Sequence, residues 1–441
     1  MAARYLIVGN GAAGLAAAEA IRRGDPSGEV TIVTEEPHAF YSRPGLAYYL
    51  TGVIPEKQLF SRPESECRQL RIGCIVAHVD SVDRAGHAVL LHDGRRLPYD
   101  RLLLATGARA VRPDIPGINL QGVVTLDNLD DARRILALAR RARRAVIVGG
   151  GITAVELAEG LAAQRVETHY LLRRDRYWGN VLDPEESALV EEQLAEQGIR
   201  LQRQAEVTRL HGRGTRIAAA ELASGQMLEC QIFAVAIGIR PRLRLARTAG
   251  LTTDRGIIVD DRLRTSDPDI FAAGDVAEVL DPESGARHLD SLWWAAIEAG
   301  SIAGQNMAGG SVRQHRPAPF NVTSLGGLTT TILGCVGEAA GEEDLLAIAR
   351  GDSEVWRQAS DGLAVECTEA RNRLRLMLTE HTIAGAVVLG DQTLSRPLQA
   401  LIRQRVDITP IRPHLLSEPT RAGEVLLEFW KEWSAARAAQ S

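Results

Sequence analysis

The sequence predicts an α/β fold, because one pattern of strand, glycine turn and helix occurs twice, about 140 residues apart. The first copy is the apolar strand Tyr5–Val8 with the turn Gly9–Gly14, and the second is Ala145–Val148 with Gly149–Ala154. A helix rich in alanine follows each turn. Each copy predicts a Rossmann-like unit, in which a buried strand leads through glycines into a helix. The 441 residues leave room for about one further domain.

Each glycine of the two turns has its own physical task. The first makes a tight turn, the second lets the backbone approach a pyrophosphate, and the third, where alanine also fits, lets helix and strand pack closely. Free N–H groups and the positive end of the helix dipole then hold the phosphates without a lysine. The predicted dinucleotide contacts are Gly9, Gly11, Ala13 and Gly14 in the first turn and Gly149, Gly151 and Ala154 in the second.

The residues after the second strand of each unit differ between the two copies. In the first unit, Glu35 follows the strand Val30–Val33, where a carboxylate accepts hydrogen bonds from a ribose 2′-hydroxyl. In the second unit, Arg173 and Arg174 stand at the matching place, and arginines can clamp a 2′-phosphate. We therefore predict NADPH rather than NADH as the second dinucleotide. Two alternatives stay open: Asp175 is itself the ribose partner of NADH, or the arginines are an ordinary surface cluster.

Composition argues against several other classes of protein. The net charge of −5 lacks the basic excess of a nucleic-acid binder, and no apolar run approaches the ~18–20 residues of a membrane span. The five cysteines contain no Cys-x-x-Cys pair, and His288 and Cys335 have no companions at ligand spacing, so we predict no metal. Only Lys57 and Lys431 are lysines, and the other 49 basic residues are arginines. We expect a soluble, cytoplasmic protein.

Three further motifs follow the glycine turns in order, namely Tyr99–Ala108, Val235–Pro241 and Thr265–Asp275. Together with the turns, they resemble the FAD-dependent pyridine nucleotide-disulfide oxidoreductase family over residues 1 to about 310. The resemblance implies that the first unit binds FAD and the second binds NAD(P)H. The cofactor contacts that it implies in these motifs are Thr106, Gly107, Gly238, Gly274 and Asp275.

The resemblance also implies that the NAD(P)-binding domain interrupts the FAD-binding domain. The implied bounds are 1–112 and 246–312 for the FAD-binding domain and 113–245 for the NAD(P)-binding domain. Residues 313–441 then form a smaller domain. The predicted fold class is thus α/β, with two Rossmann-like dinucleotide-binding domains and a smaller α/β C-terminal domain.

Several positions take a role on the flavin side from the resemblance. The Asp275 carboxylate binds a hydroxyl of the flavin chain, and the backbone of Val79 meets the adenine. A helix from Trp293 to Met307 directs its N-terminus at the flavin. Trp293 and Trp294 either cover the isoalloxazine or are aromatic core residues at a domain seam.

The segment Tyr41–Leu46 has the pattern Tyr-x-Arg-Pro-x-Leu, which includes Arg43. It resembles the branch of the ferredoxin and rubredoxin reductases and of the nitrite reductase flavin module. The Cys-x4-Cys pair of the disulfide reductases is missing, because no cysteine precedes Cys67. Pro44 stands where a further branch has one reactive cysteine.

Two candidate catalytic residues come from the same comparison. Tyr48 stands where many members have a lysine, and Glu156 matches the glutamate that pairs with this lysine. Glu156 either orients the nicotinamide carboxamide, hydrogen-bonds Tyr48, or is an ordinary polar residue at the domain seam.

Without an internal thiol acceptor, the electrons of reduced FAD have to leave the chain directly. We therefore expect an NAD(P)H-dependent FAD oxidoreductase that supplies an iron-sulfur carrier, such as a ferredoxin or a rubredoxin, or a redox partner subunit. One alternative is an NAD(P)H oxidase or a reductase of quinones or small oxidants. Another is a flavin-bearing subunit of a larger redox complex with little turnover alone.

The C-terminal part of the sequence indicates structure but no chemistry. Residues 373–378 and 382–390 read as two strands joined by a short turn. A last helix carries apolar residues on one face, and either the chain itself or a homodimer or partner covers them. These residues are Val425, Leu426, Phe429, Trp430 and Trp433.

Overall fold

The computed structural model has the predicted α/β architecture, and it describes residues 2–61, 69–280, 285–314, 318–337, 363–369 and 371–439. Cys67 lies outside these residues. Two five-stranded parallel sheets and one five-stranded antiparallel sheet form the body of the described molecule, and smaller sheets flank them. Strands and helices are numbered below in chain order.

The first parallel sheet takes its strands from two separate parts of the chain, residues 4–104 and 270–272. Most of its residues are buried and apolar, as is usual for parallel strands covered on both faces. The strand before the first glycine turn lies in the centre. In spatial order the strands are β19 (Ile270–Ala272), β7 (Arg101–Leu104), β1 (Arg4–Val8), β2 (Glu29–Thr34) and β3 (Ile72–Val76).

The second parallel sheet lies entirely between these two parts of the chain, at residues 123–235. The strand before the second glycine turn is again central, so the two predicted units share one arrangement. In spatial order the strands are β12 (Arg200–Gln202), β11 (Glu167–Leu171), β10 (Arg144–Val148), β16 (Ile232–Val235) and β9 (Val123–Val124).

The third large sheet is antiparallel and belongs to the C-terminal part of the chain. Its strands β25 and β26 pair with each other, which confirms the two strands predicted there. In spatial order the strands are β22 (Phe320–Leu325), β23 (Leu328–Gly334), β26 (Ile383–Leu389), β25 (Asn372–Leu378) and β24 (Leu363–Glu369).

Four smaller sheets contain the remaining described strands. Two of them, β8 with β17 and β4 with its neighbours, border the cleft described below. The members are β4 (Val79–Asp83), β5 (Ala88–Leu91) and β6 (Arg96–Pro98); β8 (Ala108–Ala110) and β17 (Ile239–Pro241); β13 (Val207–Arg213), β14 (Arg216–Leu222) and β15 (Met227–Glu229); and β18 (Ile257–Val259), β20 (Ala277–Leu280) and β21 (Arg287–Leu289).

The helices cover the sheets, and none in the described part of the chain is both long and apolar enough to cross a membrane. Short 3-10 turns occur at Glu56–Leu59 and Pro419–Arg421. The α-helices are α1 (Ala12–Gly24), α2 (Gly45–Thr51), α3 (Leu129–Ala139), α4 (Ile152–Ala163), α5 (Pro184–Glu196), α6 (Arg244–Thr248), α7 (Trp293–Met307), α8 (Ser395–Arg403), α9 (Arg412–Ser417) and α10 (Ala422–Ala438).

The last helix, α10, packs against helices α8 and α9 of its own chain. Leu426 is fully buried there, and Val425, Phe429, Trp430 and Trp433 are partly buried against the same apolar cluster. The chain itself therefore covers part of this apolar face.

Two buried arginines of β25 join the antiparallel sheet to the N-terminus of α5. The Arg373 side chain, 2% exposed, pairs with Asp183 at 2.6 Å and also with Glu185. Arg375 donates to Glu186 at 2.9 Å and to the Val181 carbonyl at 2.7 Å. Buried charges of this kind require complete pairing, so these contacts fix the C-terminal sheet against the second Rossmann-like unit.

Candidate functional site

One cleft of about 1580 Å³ lies at the carboxyl ends of both central strands, where parallel α/β sheets bind their ligands. All predicted site residues line this cleft except Gly14 and Ala154. The structure thus brings together residues from both units, and β22 of the C-terminal sheet adds to the wall.

The first glycine of each turn has a backbone that only glycine fits. Gly9 has a φ of +118°, and a Cβ there would lie 2.1 Å from the Ala105 carbonyl oxygen. Gly149 has a φ of +153°, and its Cβ would lie 2.2 Å from the Ala236 carbonyl oxygen. These close approaches hold each turn against the strand beside it.

The second glycine of each turn leaves open space instead. A Cβ at Gly11 or at Gly151 would meet nothing within 4 Å, and both residues face the cleft. They are also the N-caps of α1 and α4, and neither helix has a side-chain cap. The first N–H groups of both helices are therefore available for an anion, which fits the pyrophosphates of two dinucleotides.

The third position of each turn serves packing rather than direct contact. A Cβ at Gly14 would lie 2.0 Å from the Gly9 carbonyl oxygen, and Ala154 is fully buried. Both are turned away from the cleft because helix and strand touch there, which is why these two predicted contacts do not line it.

At the end of β2, Glu35 faces the loop before β4. Its carboxylate contacts His78 Nδ1 at 2.6 Å. The neighbouring Val79 lines the cleft, and its carbonyl accepts a 2.7 Å hydrogen bond from Arg244. Glu35 and Val79, predicted from different arguments for ribose and adenine, therefore lie at the same end of the cleft.

Arg43 lies among acidic groups in the cleft. Its guanidinium donates to Glu36 and to the Asp127 carbonyl, and Tyr41 donates to the same Glu36 carboxylate at 2.6 Å. Burial raises the pKa of Asp275 to about 6, and the charge of Arg43 opposes this rise. A carboxyl group held in this way can bind a hydroxyl, which fits the role predicted for Asp275.

Tyr48 and Glu156 line the cleft from helices α2 and α4, which pack on each other. Burial raises the pKa of Glu156 to about 7, and the neighbouring Glu159 carboxylate adds to the rise. Among the described residues no hydrogen bond joins Tyr48 to Glu156, so that alternative is not observed in this structure. Tyr48 remains 42% exposed.

The two tryptophans at the start of α7 have different environments. Trp293 lines the cleft, is partly buried against the core of the first unit, and lies 5.9 Å from the Phe40 ring between centroids. Trp294 does not line the cleft and is 52% exposed. Only Trp293 is therefore placed to contact a ligand.

Two segments joining the units border the cleft, and they carry further predicted contacts. Thr106 donates from its hydroxyl to the Arg242 carbonyl at 3.3 Å, and Gly107 accepts from the Arg242 N–H at 3.0 Å. The Gly238 carbonyl accepts from the Val111 N–H at 2.9 Å. These hydrogen bonds tie the entry and the return of the second unit together beside the first glycine turn.

The arginines after β11 also line the cleft. Arg173 is exposed and Arg174 is half-buried, and both border the ligand space. Asp175, the alternative ribose partner, does not line the cleft, and its side chain is 69% exposed.

Several residues that line the cleft are not predicted from the sequence. Trp178 and Asn180 come from the loop before α5, and residues 321–323 come from the C-terminal sheet. Nothing near them in sequence indicates a ligand, since only the folding of distant segments brings them to the cleft. No cysteine of the described residues lines the cleft, and no group that could hold a metal ion occurs among these residues.

Known proteins resemble the chain over most of its length. The model of the pyridine nucleotide-disulphide oxidoreductase family matches residues 3–300. The ferredoxin–NAD(+) reductase component of the biphenyl dioxygenase system of Paraburkholderia xenovorans is 32% identical over 391 residues, which are 87% of this chain and 93% of that protein. The rubredoxin–NAD(+) reductase of Pseudomonas putida is 30% identical over 389 residues, 88% of this chain and 99% of that protein.

A solved structure agrees with these relatives. A ferredoxin reductase of Rhodopseudomonas palustris superposes with a TM-score of 0.81 at 25% identity, over 92% of this chain and 96% of that one. The chain therefore belongs to the pyridine nucleotide-disulphide oxidoreductase family, in the branch of the ferredoxin and rubredoxin reductases, and is an oxidoreductase that uses FAD and a pyridine nucleotide.

Proposed function

We propose that the protein takes hydride from a reduced nicotinamide dinucleotide onto FAD and passes the electrons on to a separate iron-sulfur carrier protein. The observation that carries this proposal is a single cleft with two uncapped helix N-termini and, among the described residues, no cysteine in its wall. Two dinucleotides fit such a cleft, and no thiol of the described residues lines it to receive electrons. The ferredoxin and rubredoxin reductases among the relatives agree with this choice of acceptor.

FAD supplies the redox chemistry, since a flavin accepts a hydride and can release electrons singly. The residues of the chain bind and orient. The two glycine turns bind the pyrophosphates, and Glu35 and Asp275 bind hydroxyl groups. Trp293 forms part of the wall of the cleft. Glu156, whose pKa is raised to about 7, can hold and release a proton near neutral pH or bind a carboxamide. We propose domain bounds at 112, 245 and 312, a division that agrees with the strands of the two parallel sheets.

For the nicotinamide dinucleotide we propose NADPH. Arg173 and Arg174 border the cleft where a 2′-phosphate would be clamped, whereas Asp175 lies outside it. The names of the relatives, which carry NAD(+), favour NADH instead. The rate at which each nucleotide reduces the flavin distinguishes the two.

The test is rapid mixing without oxygen. We expect NADPH to bleach the absorbance of the bound flavin faster than NADH, and an oxidised ferredoxin or rubredoxin to restore it faster than oxygen does. If neither nucleotide bleaches the flavin, the proposed reductase function is wrong. The protein is then better described as a flavin-bearing subunit with little turnover alone. If oxygen or a quinone restores the absorbance faster than every carrier protein, the oxidase or small-oxidant alternative holds.

Two substitutions test the phosphate clamp. Arg173→Ala with Arg174→Ala should raise the KM for NADPH about tenfold or more, because charge-assisted hydrogen bonds to a phosphate are lost, and should change the KM for NADH little. Arg213→Ala, an exposed arginine of β13 outside the cleft, is the matched control. Equal effects on both nucleotides would contradict the clamp.

A further inference from the structure

The segment that returns from the second unit carries three arginines at alternate positions, Arg240, Arg242 and Arg244, named here the arginine row. All three are exposed and line the cleft. Between and after them, Leu243 and Leu245 are buried in the core of the first unit. The segment is thus anchored by its leucines and presents its guanidinium groups to the ligand space.

The arginine row makes hydrogen bonds to residues at or next to the FAD contacts predicted above. Arg242 Nε donates to the Ala108 carbonyl at 3.1 Å, directly after Thr106 and Gly107. Arg244 donates at 2.7 Å to the carbonyls of Val79 and of Asp80, at the end of the cleft where Glu35 lies. The row therefore follows the cleft from the first glycine turn to the end predicted for adenosine.

Positive charge accumulates on the segments that join the two units. Arg240 lies directly opposite Arg109 in the β8–β17 pair, and like charges in this arrangement repel. Within the part of the chain that the structure describes, no carboxylate lies within ion-pair distance of Arg109, Arg240, Arg242 or Arg244. The Asp127 carboxylate offsets part of this charge: burial raises its pKa, and the charges of Arg242 and Arg43 both oppose the rise.

A bound anion would remove this repulsion. The chain as a whole is negatively charged, with a net charge of −5. The cluster of arginines on one side of the cleft therefore does not reflect the overall charge of the protein, and a ligand of the cleft can account for it. Arginine binds phosphate oxygens in a fork geometry, and a diphosphate lying along the row can meet several guanidinium groups in turn.

We propose that Arg109, Arg240 and Arg242 bind the diphosphate of FAD from the side opposite to the first glycine turn, and that Arg244 positions the adenine loop through the Val79 and Asp80 carbonyls. This inference rests on the proposed flavin site. It adds to that site a cationic wall on the segments joining the two units, so that FAD also ties these segments together.

The test measures release of FAD from the holoenzyme by the fluorescence of free flavin, at rising concentrations of sodium chloride. We expect Arg242→Gln to raise the dissociation constant for FAD about tenfold or more at low salt, and salt to weaken binding less in this variant than in the unchanged protein. Arg242→Lys, which keeps the charge without the fork, should lie between the two. Arg213→Gln should behave as the unchanged protein, and an unaltered unfolding temperature at saturating FAD shows that the variants fold.

The outcomes separate this inference from the proposed function. If Arg242→Gln and Arg213→Gln release FAD alike, the cationic wall is wrong although the reductase function stands. If Arg242→Gln raises the KM for NADPH and leaves FAD affinity unchanged, the arginines serve the nicotinamide nucleotide and the assignment to FAD is overturned. Failure of the unchanged protein to retain FAD, or to be reduced by NADPH or NADH, contradicts the proposed function itself.

Discussion

At the scale of single residues, Glu156 shows how the surroundings change the chemistry of a group. It lines the cleft beside the uncharged Tyr48, and its neighbour Glu159 is a second acid whose pKa burial also raises to about 7. Because no cation pairs with Glu156 among the described residues, burial and the neighbouring carboxylate act unopposed. The resemblance implies a lysine–glutamate pair, and with a tyrosine in place of the lysine the glutamate is about half protonated near pH 7.

The surroundings of Glu156 predict that the stability of the folded protein depends on pH. The pKa of Glu156 rises from near 4.5 to about 7 on folding, so the folded protein binds more protons than the unfolded chain between these values. Its contribution is fully present below pH 4.5 and is lost as the pH rises to about 7. Glu156→Gln should therefore gain stability over the unchanged protein at pH 8, by about 1–3 kcal/mol, with little gain at pH 4.5.

The measurement is the unfolding temperature of both proteins at pH 5 and pH 8, where we expect the difference to widen by a few degrees. Glu428→Gln, at an exposed position of α10, is the control and should show a constant difference. A gain for Glu156→Gln that is the same at both pH values would contradict a raised pKa.

At the scale of secondary structure elements, the contact of α1 with α7 holds the first unit together. Gly300 and Gly304 of α7 face the backbone of α1, and a Cβ at Gly300 would lie 2.1 Å from the Ala13 carbonyl oxygen. Ala13 belongs to the turn predicted to bind FAD. The two separate parts of the first unit thus come within backbone contact of each other beside the cleft.

Gly300→Ala should accordingly destabilise the protein. Alanine favours a helix by about 1 kcal/mol over glycine, but the clash with backbone atoms forces α7 away from α1 and should cost a net 1–3 kcal/mol with earlier release of FAD on heating. Gly423→Ala is the matched control, since its Cβ would lie 3.4 Å from Leu394 Cδ1 and α10 can gain helix propensity. Equal unfolding temperatures for the two variants would argue against this contact.

At the scale of the whole molecule, three parts of the chain meet at one cleft. The second unit is inserted into the first, so two short segments, 108–110 and 239–241, run side by side between them. The buried ion pairs of Arg373 and Arg375 hold the C-terminal sheet against α5. Residues 321–323 of that sheet can therefore complete the wall of the cleft.

The sequence alone determined the two glycine turns and the strands and helices beside them. These features are local: the periodicity of buried residues and the steric limits at Gly9 and Gly149 act within a few residues. The structure has the predicted central strands and α7 at its predicted bounds, Trp293–Met307. Arg173 and Asp175 are also close in sequence, but only the structure shows that Arg173 lines the cleft and Asp175 does not.

Only the tertiary structure decided which distant groups share the ligand space. In the sequence, nothing separates the arginine row from the other arginines of an arginine-rich chain. In the structure, its leucines are buried and its arginines line the cleft. Likewise, the sequence could not relate Asn180 or residues 321–323 to the cleft. Long-range packing sets these positions, because burial and ion pairing depend on segments more than a hundred residues apart, whereas turns and strands follow from their immediate neighbours.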